Sequence, residues 1–156
     1  MAGVVALLAG ALALSACGGG NVHVDRFGVS ASGRSACAKL VAALPEKLAD
    51  QARRTVTGSA YAAAWGDPAI VLRCGVSRPK SFRSDPCFTR NGIGWSIPGK
   101  QADDLGDDLV MTLAFRDPIV QVQLPAHYRP DGPSEVMADL DAVVRADTAP
   151  TGEHCS

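Results

Sequence analysis

Five cysteines in 156 residues restrict this chain more than any other feature: Cys17, Cys37, Cys74, Cys87 and Cys155. An exported protein with an odd count has one thiol to account for, while an even set can staple a small domain. Setting Cys17 aside leaves four, which allow three pairings. Cys37–Cys74 with Cys87–Cys155 is favoured. The first bridge staples the start of a helix to a central strand, and the second ties down a tail, "TGEHCS", with no other reason to be ordered. A Cys74–Cys87 closure is the main alternative. The sequence contains no C-x-x-C pair, and His23, His127 and His154 lack ligand spacing, so neither a metal nor a cofactor is expected.

Cys17 has its own reading. The run from Ala2 to Ala16 is free of charge but short of the roughly 20 apolar residues that a helix needs to span a bilayer. At the N-terminus such a run suits the hydrophobic segment of an export signal. It departs from that pattern in one respect: the first positive side chain is Arg26, which points to an upstream start or a weak signal. Leu14-Ser15-Ala16-Cys17 resembles the bacterial lipobox, whose cysteine receives a diacylglyceryl group and becomes residue one after cleavage. Lipidation uses up the odd cysteine, so motif and parity agree. The competing reading is ordinary cleavage after Ala11-Leu12-Ala13, which releases a soluble protein with Cys17 free. The expected organisation is a lipoprotein-type signal at 1–16, the lipidated cysteine and a flexible tether at 17–34, and one domain at 35–156; within the tether Val22-His23-Val24 alternates and can form a short edge strand leading into the domain.

A chain this long can bury a sizeable core in one domain. Its formal net charge of −1 gives no long-range field favouring nucleic acid. Within the domain, "SACAKLVAALPEKLAD" reads as a first helix that Ser35 can cap and that Pro45 must break or kink. "RRTVTG" and "AYAAAW" read as strands, and the continuous apolar run "AIVLRC" suits an interior strand. Asn91-Gly92 between two short strand candidates is a hairpin signal. "LVMTLAF" and "IVQVQLP" flank Arg116-Asp117-Pro118 as a second hairpin; Val120, Val122 and Leu124 alternate with Gln121 and Gln123, giving one buried and one wet face. "GPSEVMADLDAVVRAD" closes the domain as a helix that Ser134 can cap. These elements define an α+β fold: a mostly antiparallel sheet of about five strands with an N-terminal and a C-terminal helix packed on it.

"CAKLVAALP", "AAAWGDPAIVLRCGV", "NGIGW" and "VQVQLPAHY" occur in this order. Over roughly Cys37 to Val144 the chain resembles the actinobacterial domain of unknown function 3515 family. The resemblance implies a small secreted or membrane-associated protein and implies no activity.

The candidate binding surface is Trp65, Asp67 and Arg73 around the "WGDP" turn, with Asn91 and Trp95 at the hairpin. An aromatic beside a charged pair on a turn can form a ligand edge. The same residues also read as a packed Trp before a tight turn, with Trp95 in the core. Arg73, Arg78, Lys80, Arg83 and Arg90 against Asp85 alone form a basic stretch suited to anionic lipid or an acidic envelope polymer, or simply a solvated loop. Asp103, Asp104, Asp107 and Asp108 offer oxygens but lack the EF-hand spacing, and a polar loop is the simpler reading. No G-x-S-x-G, H-E-x-x-H or phosphate-binding glycine loop is present. His127 beside Tyr128 can serve as a base, with no nucleophile marked.

The expectation is therefore a lipid-anchored protein on the extracytoplasmic face of the membrane. It would act as a non-enzymatic binding or scaffolding module for a wall component or envelope protein. The alternatives are a secreted form and a small hydrolase-like enzyme whose site assembles only in the fold.

Overall fold

The computed structural model describes residues 20–155, so Cys17 and the expected signal at 1–16 lie outside the described residues. In chain order the elements are β1 (Val22–His23), α1 (Ala31–Ala43), β2 (Lys47–Leu48), β3 (Gln51–Arg54), β4 (Val56–Thr57), β5 (Ala62–Trp65) and β6 (Ile70–Cys74). There follow β7 (Cys87–Arg90), β8 (Ile93–Ser96), α2 (Gly99–Asp103), β9 (Leu109–Ala114), β10 (Arg116–Asp117) and β11 (Val120–Leu124). A single 3-10 turn (Ala126–Tyr128), α3 (Gly132–Asp147) and β12 (Ala149–Pro150) complete the domain.

The fold is α+β, and its main sheet holds eight strands rather than about five, in the order β2-β3-β5-β6-β11-β9-β8-β7. Every pairing in it is antiparallel. Two further ladders, β1–β4 (parallel) and β10–β12 (antiparallel), stand apart from it. After β6 the chain jumps to the far edge, then returns through β8 and β9 until β11 lies beside β6. The 75–86 connection thereby spans the positions of three strands, which gives it the length to wall a cavity.

Alternation assigns the two faces. Ile70, Leu72, Met111, Leu113, Val120, Val122 and Leu124 point to one side and join Leu40, Val136 and Leu140 of the helices in one core. Burying each such side chain contributes about 1.5–3 kcal/mol. The helices α1 and α3 also touch each other, so both long helices cover the same face. Lys39 of α1 and Asp147 of α3 form an ion pair of 2.7 Å between them. Cys37, inside α1, is bonded to Cys74 on β6 (Cα–Cα 5.4 Å), which locks the helix layer to the middle of the sheet.

The first helix differs from its expected limits. It begins at Ala31, where the Ser30 hydroxyl accepts the Gly33 N–H at 3.0 Å, so Ser35 lies inside it. It ends at Ala43 because Leu44 precedes a proline and adopts extended backbone, and Leu48 belongs to β2 instead. Ala49 and Asp50, with φ of 47° and 59°, turn the chain into β3, held by an Asp139 carboxylate that accepts the Ala49 N–H at 2.8 Å. The last helix starts at Gly132 with Asp131 as its cap, Pro133 in its first turn and Ser134 inside it.

The tether expected at 17–34 is already part of the domain from Val22. Val24 is buried, and with Val22 and Phe27 it covers Ala62, Ala64 and Val71 on the second face of the sheet. That apolar patch explains the order: three small or branched side chains there need a cover. No helix among the described residues is long and apolar enough to cross a membrane.

Candidate functional site

The five residues proposed as a binding surface do not converge. Trp65 and Trp95 are both 0% exposed and belong to the core. Trp65 donates its indole N–H to the Pro45 carbonyl at 3.0 Å and lies 5.8 Å from the Arg53 guanidinium carbon. Asn91 and Gly92, with φ of 50° and 78°, form the β7–β8 turn, and the Asn91 carbonyl accepts from Arg145 Nη2 at 2.6 Å. Only Asp67 reaches fully into solvent among these five apart from Asn91, and its carboxylate sits 3.7 Å from Arg54 Nη1. The "WGDP" turn is thus a clamped corner. Arg54 donates to the Gly66 carbonyl at 2.8 Å and to the Gly20 carbonyl, and the Tyr128 hydroxyl donates to the Pro68 carbonyl at 2.7 Å. Burial, aided by the Asp67 charge, raises the Tyr128 phenol above its ordinary value. Backbone hydrogen bonding at Asp67 and the Arg54 charge oppose that rise. The motif segments "WGDP" and "PAHY" therefore meet in space.

Arg73 leads to a different place. It lies on the second face and starts a cross-strand row: Arg73 opposite Gln121, Gln121 opposite Thr112, Thr112 opposite Ser96, and Ser96 opposite Cys87. Gln121 Nε2 donates to the Thr112 hydroxyl at 3.3 Å. Ser96 and Thr112 are only 3% and 2% exposed, although they occupy the wet face. Gln121 reaches over Thr112, and Ser96 shares the wall of a cavity with the segment 78–86. Phe82 of that segment is buried and meets Phe115 edge-on, with ring centroids 5.7 Å apart.

Between that segment and the C-terminal tail lies a cleft of about 800 Å³, ample for a small ligand. Ser96 and the bonded pair Cys87–Cys155 line it. Arg78, Lys80 and Arg83 line it too, against Asp85 and Glu153, and Phe82 and Phe115 give it apolar wall. Arg78 stands over the Phe82 ring at 5.1 Å, while Asp85 is engaged by the Ser81 hydroxyl at 2.8 Å. Phe115 takes up a left-handed backbone (φ 54°), a conformation that costs a bulky residue on the order of 1–3 kcal/mol. That conformation follows directly on the end of β9 and places the ring beside Phe82. A second cavity of about 220 Å³ lies on the other side of the tail, lined by Gly94, Ala114 and Arg116, with Phe115, Glu153, His154 and Cys155 shared by both.

Guanidinium and ammonium groups beside two phenyl rings give the cleft a lining that can meet both negative charge and an apolar or flat surface. His127 is exposed, its ring edge-on to Tyr128 at 5.1 Å, and no serine or carboxylate is hydrogen-bonded to it among the described residues. The aspartate run serves the local chain. Asp104 accepts the Gly106 N–H at 2.8 Å and Asp108 accepts the Ala126 N–H at 3.0 Å. No group of three metal-ligating side chains occurs among the described residues. Sequence reasoning missed Phe82, Ser96 and Phe115. Only Ser96 carried a signal, since it alternates with the core residues Trp95 and Ile97 and therefore faces the other way.

Fold and cleft define a class: an antiparallel sheet with both long helices on one face, two disulfides, and a ligand-sized cleft on the opposite face. No curated relative and no solved structure matches the chain. The chain belongs to the family described as protein of unknown function (DUF3515), whose sequence model matches residues 1–151.

Proposed function

We propose that this protein is a lipid-anchored, extracytoplasmic binding module that takes an anionic group of an envelope component into the cleft between residues 78–86 and the C-terminal tail. The cleft itself carries the reading: three cations against two carboxylates, one of them already held by Ser81, beside two phenyl rings. Lipidation at Cys17 places the module on the outer face of the cell membrane. Two acyl chains suffice for stable anchoring where one is marginal.

Two measurements test it. Amide shifts of the full-length protein titrated with pyrophosphate, with neutral dextran as control, should change within 78–86 and 152–155. Lys80→Glu with Arg83→Glu should abolish the change. Shifts scattered over the surface, or unaltered by charge reversal, overturn the binding site. Separately, Cys17→Ser should move the protein from membrane to medium, and continued detergent-dependent fractionation overturns the anchor.

A further inference from the structure

The two disulfides occupy opposite environments. Cys37 and Cys74 are both 0% exposed within the main core. Cys87 and Cys155 are half-buried, and Cys155 lines both cavities. The structure around the second bond also differs. The tail pairs with β10 through β12, and the Thr151 N–H reaches the Phe115 carbonyl at 2.9 Å. Beyond Thr151 no further backbone hydrogen bond holds the tail among the described residues, and the bond to Cys87 fixes its end. The two sulfurs rest on Gly94, where an added Cβ would stand 3.4 Å from Cys87 Sγ and overlap Cys155 Sγ. The seat is bare backbone, and Cys155 above it borders both cavities.

From this contrast we propose that Cys87–Cys155 is an exchangeable latch, a site of attack by an external dithiol, and that its opening frees residues 152–155 and joins the two cavities into one. The thiolate of the dithiol attacks Cys155 Sγ, forming a mixed disulfide and expelling the Cys87 thiolate. The second thiol of the reagent then attacks its own sulfur in the mixed disulfide and expels the Cys155 thiolate. The dithiol leaves as a cyclic disulfide, oxidised by two electrons, and its two protons end on Cys87 and Cys155. Arg78, Lys80 and Arg83 line the cavity that the attacking thiolate enters, and positive surroundings favour both that anion and the departing thiolate. Attack on Cys37–Cys74 needs opening of the core first, which is a rarer event than fraying of a tail. The latch acts whatever ligand the cleft takes.

The test uses the full chain under native conditions with graded dithiothreitol, followed by alkylation and peptide mapping. Cys87 and Cys155 should become alkylated at least about tenfold faster than Cys37 and Cys74. In that selectively reduced form, carboxypeptidase should trim the tail through Cys155, whereas in the oxidised form it should stop before it. Parallel reduction of both bonds, or a tail that resists trimming once reduced, overturns the proposal. The double variant Cys87→Ser/Cys155→Ser gives an independent reading. It should fold and be trimmed without reductant; failure to fold would make the bond a structural staple and overturn the latch.

Discussion

Arg129 donates from Nη1 to the Gln101 carbonyl at 2.6 Å, and the same nitrogen reaches the carbonyls of Asp104 at 2.8 Å and Asp107 at 3.1 Å. One guanidinium thus collects carbonyls at the end of α2 and in the loop beyond it. The other two helices end the same way. Arg53 donates to Val41 and Leu44 at the close of α1 (2.9 and 2.8 Å), and Arg116 donates to the Thr148 hydroxyl and carbonyl at the close of α3 (both 2.7 Å). A helix C-terminus presents carbonyls without intrahelical partners and a partial negative charge, and a planar cation with five N–H groups satisfies both needs.

Arg129→Lys tests whether the fork or the charge matters. An ammonium keeps the charge but cannot span carbonyls spread over Gln101, Asp104 and Asp107. The expected cost is about 1–3 kcal/mol in urea unfolding, the scale for hydrogen bonds to a charged group. Faster amide exchange should be confined to 99–107. A loss below the error of the measurement would mean that water replaces the arginine freely.

Trp65→Phe removes the buried indole's donor and part of its ring together. The Pro45 carbonyl loses its hydrogen bond, Arg53 loses the broader ring surface, and a small void is left in the core. The expected loss is about 1–3 kcal/mol. Because Trp95 alone then reports fluorescence, an unchanged emission maximum will show that the second tryptophan stays in its dry environment.

Much of the fold was legible because alternation and turn chemistry agree at β11, the Asn91-Gly92 hairpin and the hairpin at Arg116-Asp117-Pro118. The β2–β3 turn was not, because Ala49 adopts a positive φ that its side chain does not advertise. Pro45 marked a break in α1, yet whether Leu48 rejoined the helix or began a strand depended on Asp139, far along the chain. The two tryptophans were distinctive in sequence because they pack the core, so distinctiveness pointed away from the surface. Of the cleft, only the cations Arg78, Lys80 and Arg83 were legible, as a basic stretch; its shape was not. Its walls come from 78–86 and 152–155, which only the chain's path and the Cys87–Cys155 bond bring together.

Tyr128 predicts an alkaline weakness. Its folded-state pKa lies above the ordinary 10.0, chiefly through burial, so the folded state holds this proton more tightly than the unfolded chain. The associated stability is present below about pH 10 and is lost as pH rises through the folded value. Arg116, lowered by burial and by Arg145, titrates in the opposite sense, so the comparison must be between wild type and Tyr128→Phe. The variant should be weaker by about 1 kcal/mol at neutral pH, for the lost bond to Pro68. It should also lose less stability above pH 10; equal alkaline losses would exclude Tyr128 as the cause.

Gly94→Ala couples the turn motif to the tail. The new methyl group would overlap Cys155 Sγ, stand 3.3 Å from the Ala114 Cβ and crowd Cys87 Sγ at 3.4 Å. Overpacking of this kind costs about 1–3 kcal/mol, and here most of it arises from a sulfur held in place by its bond. The oxidised variant should therefore unfold at lower denaturant than wild type. After selective reduction the tail can lift away, taking Cys155 Sγ with it, and the difference between variant and wild type should shrink. A penalty of the same size in both redox states would place the strain on Ala114 rather than on the bridge. That outcome would remove Gly94 as the seat of the tail.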